Sequence, residues 1–204
     1  PALKRAVKAG VHVVMTVQTL WGYAQMYVYD TGRDLLDLGV VPLDNMLPEH
    51  AHFDHLAGAG GVADRVDPPP PVAMHPDDYP LWRLQGGAPY FGMSIDPGPE
   101  PTIELKHGET LWVGGNRFEV RHTPGHTRGH VIFYCKEENA AFCGDVIFQG
   151  SIGRTDLPGG DYPTLIDSIK TQILSLPDDT RLFSGHGAQT TVGRERRFNP
   201  FLIG

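Results

Sequence analysis

His50-Ala51-His52-Phe53-Asp54-His55 gathers three imidazoles and one carboxylate into six consecutive residues. Imidazole and carboxylate together suit zinc, iron or manganese, and a carboxylate suits the harder, catalytic position. In a loop leaving a strand, residues i and i+2 face one way while i+4 and i+5 face another. One short segment can therefore serve two metal ions. Three further pieces repeat one theme: Thr123-Pro124-Gly125-His126-Thr127, Phe142-Cys143-Gly144-Asp145 and Phe183-Ser184-Gly185-His186-Gly187. In each, a rigid apolar strand ends near a glycine that lets the backbone approach closely, and one ligand-type side chain follows. A lone histidine after a strand is usually a hydrogen-bonded turn residue. Four such pieces in one chain point to a metal centre.

The elements that must hold these residues are short. Gly 25 and Pro 18 together make about a fifth of the chain, which favours turns and strands over long helices. Apolar and alternating runs predict strands at 23–29, 35–41, 72–74, 110–113, 117–122, 130–134, 140–143 and 181–184. Gly114-Gly115-Asn116 reads as a hairpin turn. Apolar residues three and four apart predict an amphipathic helix over 162–176, with a shorter one near 191–197. Residues 55–64 open a glycine-weakened helix, and 76–99 read as a long surface loop with one helical turn.

The ordered motifs His-x-His-x-Asp-His, Thr-Pro-Gly-His-Thr, Gly-Asp and Ser-Gly-His-Gly are separated by 71, 19 and 41 residues. In that order and spacing they resemble the metallo-β-lactamase superfamily, and within it the short glyoxalase-II-like (hydroxyacylglutathione hydrolase-like) hydrolases. Gly-Ser-Ile-Gly-Arg-Thr-Asp at 150–156 and Asn-Pro-Phe-Leu at 199–202 are similar to that branch, and the resemblance spans residues 48–204. It implies an α+β fold, an αββα sandwich of two packed mixed β-sheets flanked by helices, as one domain over 1–204 with the site at the edge of the sheets. Residues 1–49 depart from the pattern: the run before His50 holds Pro42 and Pro48, a poor composition for a central strand.

By the same resemblance, His50, His52 and His126 hold a first divalent ion. Asp54, His55 and His186 hold a second, and Asp145 bridges both. Zinc is expected first, with iron or manganese as alternatives. A hydroxide shared by the two ions would attack a carbonyl carbon, with Asp54 and Asp145 as the candidate catalytic carboxylates. A thiolate leaves easily, so the expected substrate is a small-molecule thioester of the S-lactoylglutathione type. Larger glyoxalase II enzymes carry a further helical domain that helps to hold glutathione, and with 18 residues after His186 in this sequence that domain is not expected here. Arg128, Arg154 and Tyr162 are candidates for binding a substrate anion. The aromatic stretch 79–93 (Tyr79, Trp82, Tyr90, Phe91) is a candidate cover for the site.

Three alternatives stay open. The first is a mononuclear iron persulfide dioxygenase using His50, His126 and Asp145. Gly187 speaks against it, because that branch has an aspartate there. The others are a β-lactamase and a metal-binding protein without turnover. Composition narrows the partners. Lys plus Arg is 17 and Asp plus Glu is 24, a net charge of −7 with no basic cluster, which disfavours nucleic acid. No apolar run approaches the roughly 20 residues of a membrane span, and no secretion signal is evident at the N-terminus. Cys135 and Cys143 read as buried free thiols, which implies a reducing, cytoplasmic setting. The sequence does not encode a readable oligomeric state.

Overall fold

The computed structural model describes residues 14–15, 41–42, 48–64, 71–113 and 116–203. The expected strands at 23–29 and 35–41 lie outside these residues apart from Val41, as do Gly114 and Gly115 of the expected hairpin turn. Two short parallel pairs come first: β1 (Val14–Met15) with β2 (Val41–Pro42), and β3 (Ala73–Met74) with β4 (Ile103–Glu104). The main sheet has six strands, β5 (Thr110–Val113), β6 (Asn116–His122), β7 (Val131–Cys135), β8 (Ala140–Gly144), β11 (Arg181–Ser184) and β12 (Thr190–Thr191), in the spatial order β12-β11-β8-β7-β6-β5. β9 (Ile147–Phe148) and β10 (Ser151–Ile152) form a separate antiparallel hairpin.

β7 shows why the sheet is layered on both faces. Its five residues, Val-Ile-Phe-Tyr-Cys, are all buried. A strand shows successive side chains to opposite faces. Ile132 and Tyr134 therefore join a cluster with Leu165, Ile169 and Ile173, while Val131 and Phe133 join Ala73 of β3 and Leu105, the residue after β4. One face meets a helix and the other meets strands, which is the α/β/β part of the expected sandwich. A strand covered on both sides reads as a continuous apolar run.

The covering helix is α4 (Tyr162–Ser168), prolonged by a π turn over Ile169–Ile173. Asp161 caps it by accepting a hydrogen bond from the Thr164 N–H at 2.9 Å. Leu165, Ile169 and Ile173 are fully buried. Burial of such side chains is worth roughly 1.5–3 kcal/mol each, and it holds this short helix in place where its own propensity would not. The second predicted helix is α5 (Val192–Phe198). The 55–64 segment divides at its glycines into α1 (Phe53–Leu56) and α2 (Ala59–Ala63).

Residues 76–99 are more ordered than a surface loop. They contain a 3-10 turn at Pro76–Asp78, α3 (Tyr79–Arg83) and a second 3-10 stretch over Gln85–Phe91. Gly86 and Gly87 adopt φ of +63° and +80°, which folds the chain back onto the histidine motif. A Cβ at Gly86 would lie 2.4 Å from the Phe53 nitrogen. No helix among the described residues is long and apolar enough to cross a membrane.

Candidate metal centre

Strand direction explains how four distant motifs meet. β6 and β8 are both antiparallel to β7, and β11 is parallel to β8. The C-terminal ends of β6, β8 and β11 therefore share one edge of the sheet. His126, Asp145 and His186 follow those three ends. The segment from His50 to α1 arrives at the same edge, held there by a hydrogen bond from the Val131 N–H to the Glu49 carbonyl at 2.8 Å.

The seven predicted ligands fall into two groups with convergent donor atoms, His50–His52–His126 and Asp54–His55–Asp145–His186. In the first, His126 Nε2 lies 2.9 Å from His52 Nδ1 and 3.2 Å from His50 Nε2. The Arg154 carbonyl accepts from His126 Nδ1 at 2.8 Å, so His126 Nε2 carries the lone pair and turns it inward. A tetrahedral ion with bonds of about 2.05 Å spaces its donors about 3.3 Å apart, close to this arrangement. In the second group, His186 Nε2 lies 3.2 Å from Asp54 Oδ2 and 3.4 Å from Asp145 Oδ2. Asp145 Oδ2 is also 3.7 Å from His126 Nε2, so this one oxygen faces both groups. Asp145 Oδ1 is buried and meets His55 Nε2 at 3.5 Å, long for a charge-assisted hydrogen bond. A buried carboxylate in that position is relieved by a cation. The donor set and its spacing fit a pair of divalent ions.

The ionisation of the two groups differs. Burial, with the neighbouring imidazoles, holds His50 well below the usual histidine value and His52 at about 3. Burial also lowers His126, against the pull of Asp145. These three are neutral at pH 7, with lone pairs ready to ligate. Hydrogen bonds to Asp145 and Asp54 push His186 up to about 9. Burial works to lower His55, but Asp145, Glu49 and Asp54 outweigh it and raise the group well above its usual value. Burial works to raise Asp145, and the charge of His55 with hydrogen bonds from His186 and His55 holds it far below the carboxylate range. Asp54 is lowered against its burial by the hydrogen bond from His186.

Two glycines give the site its room. Gly144 sits at φ +46°, and a Cβ there would meet Glu49 Cβ at 2.7 Å and His130 Nε2 at 2.8 Å. A Cβ on Gly185 would lie 2.4 Å from Asp145 Oδ1.

Sequence reasoning missed the residues behind the ligands. Asp78 is buried, and its carboxylate accepts from the Ala51 N–H at 2.9 Å, the Thr127 hydroxyl at 2.8 Å and the Gly129 N–H at 2.7 Å. It ties the His50–His52 segment to the His126 loop. Nothing in its His-Pro-Asp-Asp context marks it. His130 is fully buried and its Nε2 accepts from the Asp145 N–H at 3.1 Å. It stands four residues after His126, and its place in that motif was the available signal. Glu49 Oε2 lies 3.8 Å from His55 Nδ1. Glu195, also buried, accepts from the Gly150 N–H at 2.8 Å and so holds the loop that carries Arg154.

The candidate substrate residues are less central. The Arg154 guanidinium is committed to Asp156 by two 2.7 Å hydrogen bonds, and it is the Arg154 carbonyl that touches the site. Arg128 is exposed and its carbonyl accepts from His122. Tyr162 is half exposed at the start of α4. The aromatic stretch divides in two. Tyr79 and Trp82 pack against Ala51, Leu56 and Met74. Tyr90 and Phe91 stay exposed, with Phe91 meeting Phe53 of the histidine motif at a 5.4 Å ring separation.

Comparison with known proteins agrees with this geometry. The family described as the metallo-beta-lactamase superfamily matches residues 26–186. Hydroxyacylglutathione hydrolase GloC of Haemophilus influenzae is 42% identical over 158 residues, 77% of this chain and 74% of that protein. Among solved structures, the BLEG-1 B3 metallo-beta-lactamase is 39% identical with a TM-score of 0.75, covering 86% of this chain and 85% of that one. TTHA1623, solved in a di-iron-bound form, is 42% identical with a TM-score of 0.73, covering 83% and 82%.

Proposed function

The chain belongs to the metallo-β-lactamase superfamily, and from that premise we propose that it is a binuclear hydrolase acting on a small-molecule thioester of the S-lactoylglutathione type. The observation that carries the two-ion reading is Asp145 Oδ2, placed 3.7 Å from His126 Nε2 and 3.4 Å from His186 Nε2. One carboxylate oxygen shared by two complete donor groups is what a bridging ligand requires. His50, His52 and His126 would hold one ion, and Asp54, His55 and His186 the other.

A pair of divalent ions bound there supplies Lewis acidity and water ionised at neutral pH. The chain does the positioning. Asp54 is partly exposed beside His186 and is kept ionised, so its carboxylate can accept a hydrogen bond from an attacking water and orient it. Phe53, within the histidine motif, and the exposed Phe91 form an apolar ring pair suited to covering an acyl group and excluding water from it. A thiolate leaving group needs no separate acid. Similarity to a hydroxyacylglutathione hydrolase supports the thioester assignment.

One observation favours a second reading. The 39% identity to a protein described as a B3 metallo-beta-lactamase makes β-lactam hydrolysis the competing activity. Elemental analysis of protein purified without added metal, with parallel assays on S-lactoylglutathione and a chromogenic cephalosporin, separates them. Two ions per chain with thioester cleavage supports the proposal. Cleavage of the β-lactam alone replaces it with the second reading. One iron per chain, with oxygen consumption on a persulfide, overturns both.

A further inference from the structure

We propose that His75, Asp77 and His122 form a third divalent-cation site, distinct from the seven-residue centre. One nitrogen from each imidazole and one Asp77 carboxylate oxygen lie within 4.8 Å of one another. His75 and Asp77 flank the start of the Pro76–Asp78 turn, and His122 is the last residue of β6. None of the three takes part in the main centre.

The protonation pattern suits ligation. The Asp77 N–H donates to His75 Nδ1 at 3.3 Å, so the lone pair of His75 sits on Nδ1 in a bond long enough to give up easily. Asp77 Oδ2 is already 3.8 Å from that nitrogen. The Arg128 carbonyl can only accept, so His122 Nε2 donates to it at 2.9 Å and Nδ1 keeps its lone pair. An imidazole that binds a metal through one nitrogen is commonly oriented through the other in this way. Burial and the field of His122 lower His75, which keeps it neutral.

The alternative is that the two rings are a plain aromatic stack, for their centroids are 4.0 Å apart and their planes 9° from parallel. Parallel rings cannot aim at one ion, so occupancy requires the planes to tilt toward each other. Asp77 has the freedom to follow, since its side chain is 60% exposed. Stacking alone does not account for a carboxylate facing the His75 lone pair. Two nitrogens and one oxygen select a borderline ion of the zinc type over magnesium or calcium. The site also has a mechanical connection. Asp78, the next residue, accepts from Ala51, Thr127 and Gly129, and Arg128 lies in the His126 loop. An ion here would brace both segments that deliver the first group of histidines.

The test counts zinc. Zinc-loaded protein and a His75→Ala/Asp77→Asn variant are dialysed against the same buffered free zinc series and analysed for metal per chain. The expected result is one equivalent more in the wild type at saturation, with Asp77→Asn alone weakening that equivalent by more than about 10-fold, at least what loss of an outer partner costs. Asp77 is exposed, so the single variant serves the comparison if the double variant does not fold. The readout is a difference, and it stands whatever the main centre holds. Equal counts in wild type and variants at every zinc concentration would overturn the site.

Discussion

Asp145 is asked to do two things at once, and both can be lost separately. Its Oδ2 faces His126 and His186, while its backbone N–H is fixed by His130. Asp145→Ala removes the shared oxygen and leaves the three-histidine group intact. The expected outcome is a fall from two ions to one, with activity reduced by more than about 100-fold, beyond what loss of an outer partner costs. Two retained ions and unchanged turnover would refute the bridging role. The ionisation asymmetry gives a second prediction. In chelator-treated protein at pH 7, His186 is protonated, because its value is about 9, whereas His52 at about 3 is neutral. Metal entering the Asp54–His55–Asp145–His186 group must displace protons, and its affinity should rise about tenfold per proton for each unit between pH 7 and 9. Affinity at the three-histidine group should stay flat over that range. The sign for folding follows from the same shift: the raised His186 stabilises the stripped protein fully below about pH 6.5, and that contribution disappears as pH climbs through about 9. Metal titrations at several pH values check the affinities, and identical pH slopes at both groups would contradict the assignment.

At the scale of elements, the centre is a product of loop ends, and loops are held by what lies behind them. The Asp78 carboxylate accepts from Ala51, Thr127 and Gly129, and it thereby fixes the distance between two motifs whose sequence positions differ by 74. Asp78→Ala leaves two backbone N–H groups and one hydroxyl unsatisfied at a buried point. The expected cost is about 1–3 kcal/mol for each donor that water does not reach, with zinc affinity of the three-histidine group down about 10- to 100-fold. Asp78→Asn keeps the shape and one acceptor oxygen, so it should recover part of that affinity. Denaturant melts and zinc competition read the two effects, and an Asp78→Ala protein with wild-type zinc affinity would show the tie to be unimportant for the site. This is also where the sequence falls silent. The ligands were legible because imidazoles and carboxylates after glycine-ended strands have a local signature, and β7 was legible because five apolar residues in a row need two covered faces. The β9–β10 hairpin, two residues per strand, leaves no period to detect. Asp78 and Glu195 look like ordinary surface acids, and only tertiary folding brings amide donors to their buried carboxylates. The Gln85–Phe91 stretch has no local period to mark it, because its order comes from Gly86 packing on Phe53, a contact 33 residues distant.

For the molecule as a whole, the metal centre joins segments that the sheet alone does not bind together. The His50–His55 segment packs its apolar side, through Ala51 and the adjoining Leu56, on Met74, Tyr79 and Trp82, and it meets the β6, β8 and β11 ends through polar contacts, while the other two apolar clusters lie around β7 and α4. Ions that bind only the folded arrangement stabilise it by mass action. At a free metal concentration of 100 times the dissociation constant, each site adds about 2.7 kcal/mol. A chain of 204 residues shifts its melting temperature by about 2–4 °C per kcal/mol. Removing one ion by chelation should therefore lower Tm by roughly 5–11 °C, and removing two by more, with recovery on adding zinc. The loss should be larger near pH 9 than near pH 6. As pH rises toward and through about 9 the stripped protein loses the His186 imidazolium paired with Asp145 and Asp54, whereas near pH 6 that ion pair is intact and partly substitutes for the missing cation. Differential scanning calorimetry of loaded and stripped protein at the two pH values measures this. A Tm indifferent to chelator at both would mean that the seven side chains converge without binding metal, and the hydrolytic reading would fall with them.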